Sequence, residues 1–266
     1  MKIDGARVVV TGASRGIGEA LTHALASRGA HVVLVARDAD ALEKLAANTG
    51  GEAFPADLTK TREIADLVDR IEAGGPIDLL VNNAGVDLVG ELTEMRADQI
   101  EQLFTLNLVA PVLLSRAVLP GMRARKRGHI VNVSSLAATN AVPGLAPYSA
   151  SKAGLSHFTA GLRAECKGTP IKTTLVEIGT VVTSMLDNVE SHDPTKRAFK
   201  RMKHLQLLPD LEVETVVGAI VHALEHDRRH VRLPYRDALF PMIVETPRRL
   251  TEVLLLGVKA QRKGHR

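Results

Sequence analysis

Apolar, β-branched runs that alternate with longer helical patterns predict an α/β fold, a doubly wound parallel sheet with helices on both faces. Two further observations support it. The strand runs are nearly all apolar instead of alternating with polar residues, the mark of strands covered on both sides. Connections are short, and no low-complexity linker divides the body, so one domain is expected. A length of 266 residues, 45% hydrophobic and 24% charged, suits a soluble globular protein of that kind.

The elements follow in order. RVVV (7–10) opens as a strand, the glycine-rich TGASRGIG (11–18) turns, and a helix runs from about Gly16 to Arg28. HVVLVA (31–36) is the second strand, with a helix to about Asn48. EAFPA (52–56), IDLLVN (77–82) and HIVNVS (129–134) continue as strands with helical segments between them. IKTTLVEI (171–178) and HVRL (230–233) complete a Rossmann-like sheet within residues 1–235. Residues 236–266 read as a basic, amphipathic, helical C-terminal extension. From Tyr235 onward, seven Arg/Lys stand against three acids, which accounts for the whole net charge of +4. The body is then formally neutral, which speaks against a nucleic-acid partner. No run of 18 consecutive apolar residues suggests a membrane span. MKIDGARVVV lacks the pattern of a signal peptide. The lone Cys166 fits a helix face in a reducing, cytoplasmic setting.

The glycine turn carries the first chemistry. Gly12 permits a tight turn, Gly16 lets the backbone approach a pyrophosphate, and Gly18 lets the helix pack on the sheet. The helix start offers unpaired N–H groups and a positive dipole end to phosphates. An NAD enzyme often carries an acid at the end of the second strand for the ribose 2′-hydroxyl. Here that place reads Val35-Ala36-Arg37, with no carboxylate until Asp38. Arg37 and Arg15 are suited to bracket a 2′-phosphate, so NADP is the expected cofactor.

Aromatic residues are scarce, with two tyrosines and no tryptophan. Yet Tyr148 stands four residues before Lys152, one helical turn away on the same face. Reducing a ketone needs a hydride on carbon, which a nicotinamide supplies, and a proton on oxygen, which the protein supplies. A free phenol, with pKa ~10, relays protons poorly near neutrality. A lysine cation beside it, with the positive oxidised nicotinamide, is expected to lower that value.

TGASRGIG, NNAG (82–85), Asn107, NVSS (132–135) and Tyr148-Ser-Ala-Ser-Lys152 together resemble a short-chain dehydrogenase/reductase of NADP-preferring type, over about residues 5–235. The resemblance implies that Ser135, thirteen residues before the tyrosine, orients the carbonyl. It implies that Asn107 holds a water linking Lys152 to solvent, and that Lys152 bonds the nicotinamide ribose. Ser14 and Ile17 of the glycine turn, Asp57 and Leu58 at the adenine, and Asn83, Ala84 and Gly85 beside the adenosine join the cofactor set. Gly179, Val181 and Thr183 follow the sixth strand, the latter two at the carboxamide. One departure is Ile178-Gly179, where the family usually has Pro-Gly. Homo-oligomerisation and a mobile substrate lid at about 184–210 are likewise implied.

The expected function is hydride transfer between NADP(H) and a carbonyl/alcohol pair. Apolar residues in 136–147 and in the lid (Met185, Leu186, Phe199, Met202, Leu205, Leu207, Leu208) point to a hydrophobic ketone or secondary alcohol. A nucleotide-sensing or scaffold protein without turnover is the rival, though its lost tyrosine, lysine or serine is absent. Epimerisation is a weaker one. His222, Glu225, His226 and His230 invite a metal reading by spacing. The charged HDRRH favours a solvated helix end, and no metal is expected. The extension is read three ways: a cover for the body or a second subunit, a peripheral membrane contact, or a protein-binding segment.

Overall fold

The structure, a computed structural model, describes residues 1–181, 192–204 and 209–234. Thr183, parts of the 184–210 segment and the whole 236–266 extension lie outside the described residues.

Seven strands form one parallel sheet: β1 (Arg7–Thr11), β2 (His31–Ala36), β3 (Glu52–Pro55), β4 (Leu79–Asn82), β5 (Gly128–Ser135), β6 (Ile171–Ile178) and β7 (His230–Leu233). Their order is β3-β2-β1-β4-β5-β6-β7. The chain winds outward from β1 in one direction, then from β4 in the other. The β1–β4 boundary is therefore the switch point, where ligands bind at the carboxyl ends of such sheets. The helices are α1 (Gly16–Ala26), α2 (Ala39–Thr49), α3 (Ile64–Ala73), α4 (Ala97–Phe104), α5 (Ala110–Ala124), α6 (Ala146–Glu165), α7 (Asp193–His204) and α8 (Val213–Glu225).

Strand residues alternate between two cores. Val8 and Val10 join Leu21 and Leu25 of α1 and Ile220 and Leu224 of α8 on one face. Val9 joins Ile71 of α3, Leu114 and Val118 of α5 and Leu162 of α6 on the other. Both sides of each central strand are thus apolar, which is why those strands read as unbroken hydrophobic runs. Cys166, at the end of α6, is buried in the second core.

A polar seam fixes α6 against the sheet. Asn82 donates to Asn132 Oδ1 at 2.8 Å, and Asn132 in turn donates to Thr159 Oγ1 of α6 at 2.8 Å. Ser134 Oγ pairs with Ser156 Oγ at 2.8 Å and donates to the Lys152 carbonyl at 3.0 Å. Buried groups of this kind tolerate few alternative registers, because a slip would strand them without partners.

The helical stretch after β4 differs from a plain helix. A π-turn, Thr105–Val109, joins α4 to α5 and carries Asn107, which is fully buried. The wider turn aims Asn107 at the loop after β4. Its Oδ1 accepts from the Val86 N–H at 2.9 Å and its Nδ2 donates to the Val86 carbonyl at 2.8 Å. By length and composition the continuous run Ala97–Ala124 could span a bilayer. Its buried residues Leu103, Leu114, Val118 and Met122 instead face the protein interior.

Candidate active site

The glycine turn and the NNAG segment are locked together. Thr11 Oγ1 accepts from the N–H groups of Asn83 and Ala84, both at 3.0 Å, and Asn83 Nδ2 donates to the Thr11 carbonyl at 3.0 Å. A Cβ on Gly18 would lie 2.1 Å from the Gly12 carbonyl oxygen, and one on Gly12 would lie 2.8 Å from Ala84 Cα. Gly12 also holds φ +65, which side-chain-bearing residues rarely adopt. The helix N-cap, Arg15, makes no side-chain cap bond. The first N–H groups of α1 therefore face the cavity uncapped, as an anion-binding end should.

That cavity, about 1030 Å³, runs along the carboxyl ends of the sheet. Every expected cofactor residue lines it except two. Gly18 sits behind the turn, packed on Gly12, and Thr183 is outside the described residues. Arg15 and Arg37 are exposed at the rim, and neither enters an ion pair among the described residues. Asp38, the first carboxylate after β2, is committed locally: it caps α2 by accepting from the Ala41 N–H at 3.0 Å. Burial raises the Asp57 carboxyl, but bonds from the Thr59 N–H (3.0 Å) and hydroxyl (2.8 Å), with Arg37 and Lys60 nearby, hold it below its usual range. The close-packed glycines, open helix end and rim arginines fit a phosphate-bearing dinucleotide.

At the other end of the cavity three expected residues meet. Ser135 is the last residue of β5, while Tyr148 and Lys152 sit in the first turns of α6. Pro147 starts that helix in the position where a missing N–H does no harm. Lys152 Nζ lies 6.0 Å from the Tyr148 ring centre and donates to the Val133 carbonyl at 3.0 Å. Asn107 does not line the cavity. It reaches the pair from behind, donating to Ser151 Oγ at 3.2 Å, while Ser151 donates to the Tyr148 carbonyl at 2.7 Å. Gly85 fills the space between: a Cβ there would lie 3.1 Å from Asn107 Oδ1 and 3.4 Å from Lys152 Nζ.

The electrostatics correct one expectation. Burial pushes the Tyr148 phenol up to about 12, with the Asp87 charge adding to the rise and the Ser135 hydroxyl opposing it. Burial brings the Lys152 ammonium down to about 8. In the protein alone burial outweighs the expected depression of the phenol, while the Lys152 ammonium donates to the Val133 carbonyl at 3.0 Å. Ile178, in place of proline, continues β6 and pairs with both Ser135 and Leu233, so the departure lengthens the strand.

Four polar cavity residues escaped the sequence reading: Thr59, Asp87, Asn140 and Thr180. Thr180 Oγ1 is buried without a hydrogen-bond partner among the described residues, pointing to a ligand contact. Only the family spacing around Gly179 and Val181 could have flagged it. Of the expected lid residues, Phe199 and Met202 of α7 line the cavity, beside Leu136, Val142 and Leu145. Met185, Leu186, Leu205, Leu207 and Leu208 are outside the described residues. The start of α7 is clasped to the loop after β5: Thr195 Oγ1 donates to the Pro143 carbonyl at 2.7 Å, and His192 Nδ1 meets Thr195 Oγ1 at 2.7 Å. His192 Nε2 lies 3.4 Å from Glu91, and the Gly90 N–H donates to the Gly144 carbonyl at 3.1 Å. The histidines of the metal reading do not converge. The His222 ring of α8 stacks on that of His226, the residue capping its end, at 4.1 Å, whereas His230 meets Arg163 at 3.1 Å.

Known proteins agree with this geometry. Residues 6–194 match the short chain dehydrogenase family. The ketoacyl reductase HetN of a Nostoc species is 38% identical over 180 residues, covering 65% of this chain and 63% of that protein. A short-chain dehydrogenase from Sphingobium yanoikuyae, solved in complex with NADPH, superposes with a TM-score of 0.80 at 29% identity, covering 97% of this chain and 99% of that one. One from Burkholderia phymatum, in complex with NAD, gives 0.77 at 25% identity, with 96% of each chain covered. A parallel sheet wound about a glycine turn, with serine, tyrosine and lysine gathered at the far end of one cavity, places this chain in the short-chain dehydrogenase/reductase family of oxidoreductases.

Proposed function

We propose that the protein is an NADP(H)-dependent oxidoreductase acting on a hydrophobic ketone or the matching secondary alcohol. The carrying observation is the joining of Ser135, Tyr148 and Lys152 to the glycine turn within one cavity. When bound, the nicotinamide supplies or accepts the hydride. Arg15 and Arg37 would hold a 2′-phosphate, the α1 amino end the pyrophosphate, and Asp57 the adenine side. Support for NADP over NAD is that Asp38 is engaged as a helix cap while two arginines stand at the rim. The relatives solved with NADPH and with NAD show that this scaffold accommodates either.

Tyr148 passes its proton to the carbonyl oxygen, and Ser135 donates a hydrogen bond that orients that oxygen. A phenol near 12 is fully protonated at rest, the form a reduction consumes. Bringing it near 7 would take roughly 7 kcal/mol of differential stabilisation, more than a lysine turned onto Val133 contributes. Lys152, with its pKa near 8, remains largely cationic at neutrality, and the family resemblance supports its recharging the tyrosine from solvent with Asn107 in the relay. The family resemblance also supports homo-oligomerisation, and buried Cys166 suits a cytoplasmic setting.

The test is NADPH consumption with a panel of hydrophobic ketones, run beside NADH and beside Tyr148→Phe. Turnover preferring NADPH is expected, with a loss of about 10²–10⁴-fold in the variant and unchanged nucleotide binding. Nucleotide binding without turnover of any ketone would instead make the protein a sensor.

A further inference from the structure

A second cavity, of about 400 Å³, lies at the amino ends of β4, β5 and β6, the opposite edge of the sheet from the glycine turn. Charged groups dominate its lining: the Met1 amine, Lys2, Lys126, Arg127 and Lys172 against Asp4, Asp78 and Asp227. Each acid already has a cation. Asp4 pairs with Lys2 at 2.8 Å, Asp78 with Arg127 Nε at 3.0 Å and Asp227 with the Met1 amine at 2.9 Å. Lys126 and Lys172 enter no hydrogen bond or ion pair among the described residues, so the lining keeps two positive charges in excess. The backbone singles out the same place. Lys126 (φ +54) and Asp227 (φ +52) are the two non-glycine residues of left-handed backbone among those described. They follow the ends of α5 and α8, positions that glycine or asparagine usually fills. Both line this one cavity.

The lining also includes an unmet acceptor. His129 is 1% exposed. Thr174 spends its hydroxyl hydrogen on the Arg228 carbonyl at 2.6 Å, so its oxygen accepts from His129 Nε2–H at 2.8 Å. A neutral ring protonated at Nε2 leaves Nδ1 as an acceptor, and Nδ1 is buried with no partner among the described residues. Burial, then the positive charges of the N-terminal amine and Lys172, keep this ring neutral at pH 7 against a smaller pull from Asp227. Sulfate would offer such a site acceptors only, whereas hydrogen phosphate brings two negative charges and one O–H donor. We propose that this cavity binds free hydrogen phosphate, its charged oxygens held by Lys126, Lys172 and the terminal nitrogens of Arg127, its hydroxyl donating to His129 Nδ1. The lysines supply attraction, the planar arginine fork supplies orientation, and the histidine supplies discrimination against anions without a donor. The site is independent of the oxidoreductase reading.

Phosphate also suits the open start of α1, so the readout has to be local: the His129 ring nitrogens in ¹⁵N NMR of the full chain, at pH 7.5 and fixed ionic strength. Sodium phosphate should move the Nδ1 signal saturably. Sulfate and methyl phosphate, which lack the donor hydrogen at this pH, should act at least about tenfold more weakly. Lys126→Gln and Lys172→Gln should each raise the phosphate midpoint about tenfold, as loss of a charge-assisted contact requires. Both lysines are exposed, so neither change threatens the fold. Phosphate that leaves the His129 signals unmoved overturns the proposal. Sulfate acting as well as phosphate overturns the hydroxyl contact and the assigned ligand with it. Methyl phosphate acting as well overturns the free ion in favour of a phosphorylated molecule. A midpoint unchanged in both lysine variants overturns the assigned cations.

Discussion

At the residue scale, position and partner decide what each charge can do. Asp38 sits where a ribose-binding acid would be sought, yet it caps α2. Arg37, one residue earlier, stays at the cavity rim. If the two rim arginines recognise a 2′-phosphate, Arg37→Ser should raise KM for NADPH by about tenfold or more while leaving KM for NADH nearly unchanged, as loss of one charge-assisted contact requires. Equal effects on both nucleotides would show that Arg37 serves only the surface. The residues most legible in the sequence were of this chemically constrained kind. Glycines that tolerate no Cβ, and a tyrosine and lysine one turn apart, announce themselves by type and spacing. Asp87 and Thr180 do not, since an aspartate or threonine in a loop has no pattern of its own. Their meaning comes from the strands that aim those loops at one cavity. The shift of the phenol was also illegible, because burial and the direction of the Lys152 ammonium are properties of the packed chain.

At the element scale, the π-turn between α4 and α5 shows how a helix can serve a distant loop. One widened turn places the Asn107 amide where both backbone groups of Val86 need partners. Asn107→Ala should leave the half-buried N–H and carbonyl of Val86 without their partner, at up to about 1–3 kcal/mol each. A fall in stability of about 1–3 kcal/mol should be visible in urea unfolding. Turnover should drop as well, since the segment carrying Gly85 and Asp87 loses its anchor. A variant as stable as wild type would mean that water replaces the amide there. Strand boundaries were the better-read elements. β2, β6 and β7 begin and end where the sequence reading puts them. IDLLVN lost its first two residues from β4 for a local reason: Asp78 turns its carboxylate onto the Arg7 N–H at 3.1 Å and onto Arg127 at 3.0 Å. Asn107 was expected in an ordinary helix, and a single extra residue per turn leaves no mark in hydrophobic spacing.

At the scale of the whole molecule, polar groups within the sheet couple stability to pH. His129 on β5 is 1% exposed, with Nε2 2.8 Å from Thr174 Oγ1. Burial, helped by the nearby N-terminal amine and Lys172, lowers it from 6.5 to about 4, against a smaller opposing pull from Asp227. As pH falls, the unfolded chain takes up this proton first, so the native state loses ground between 6.5 and 4. The contribution, complete above pH 6.5, should shrink by about 3 kcal/mol across that window. Unfolding free energies of wild type and His129→Gln, compared at pH 7 and 4.5, should diverge by most of that amount. Parallel pH profiles would show that the imidazole is solvated well enough to charge in place.

The reach of α7 bears on how molecules come and go. Among the described residues of this segment, Phe199 and Met202 line the cavity beside Leu136, Val142 and Leu145, and the helix start is pinned to Pro143 through Thr195. The nucleotide end is bounded by the loops after β1 to β4, with rim arginines open to water. On the proposed reading the two ligands therefore come and go separately. The nucleotide docks along the strand ends at one side, while the ketone and its alcohol pass beside the clasped start of α7, so that loosening the clasp should alter the exchange of the ketone more than that of the nucleotide.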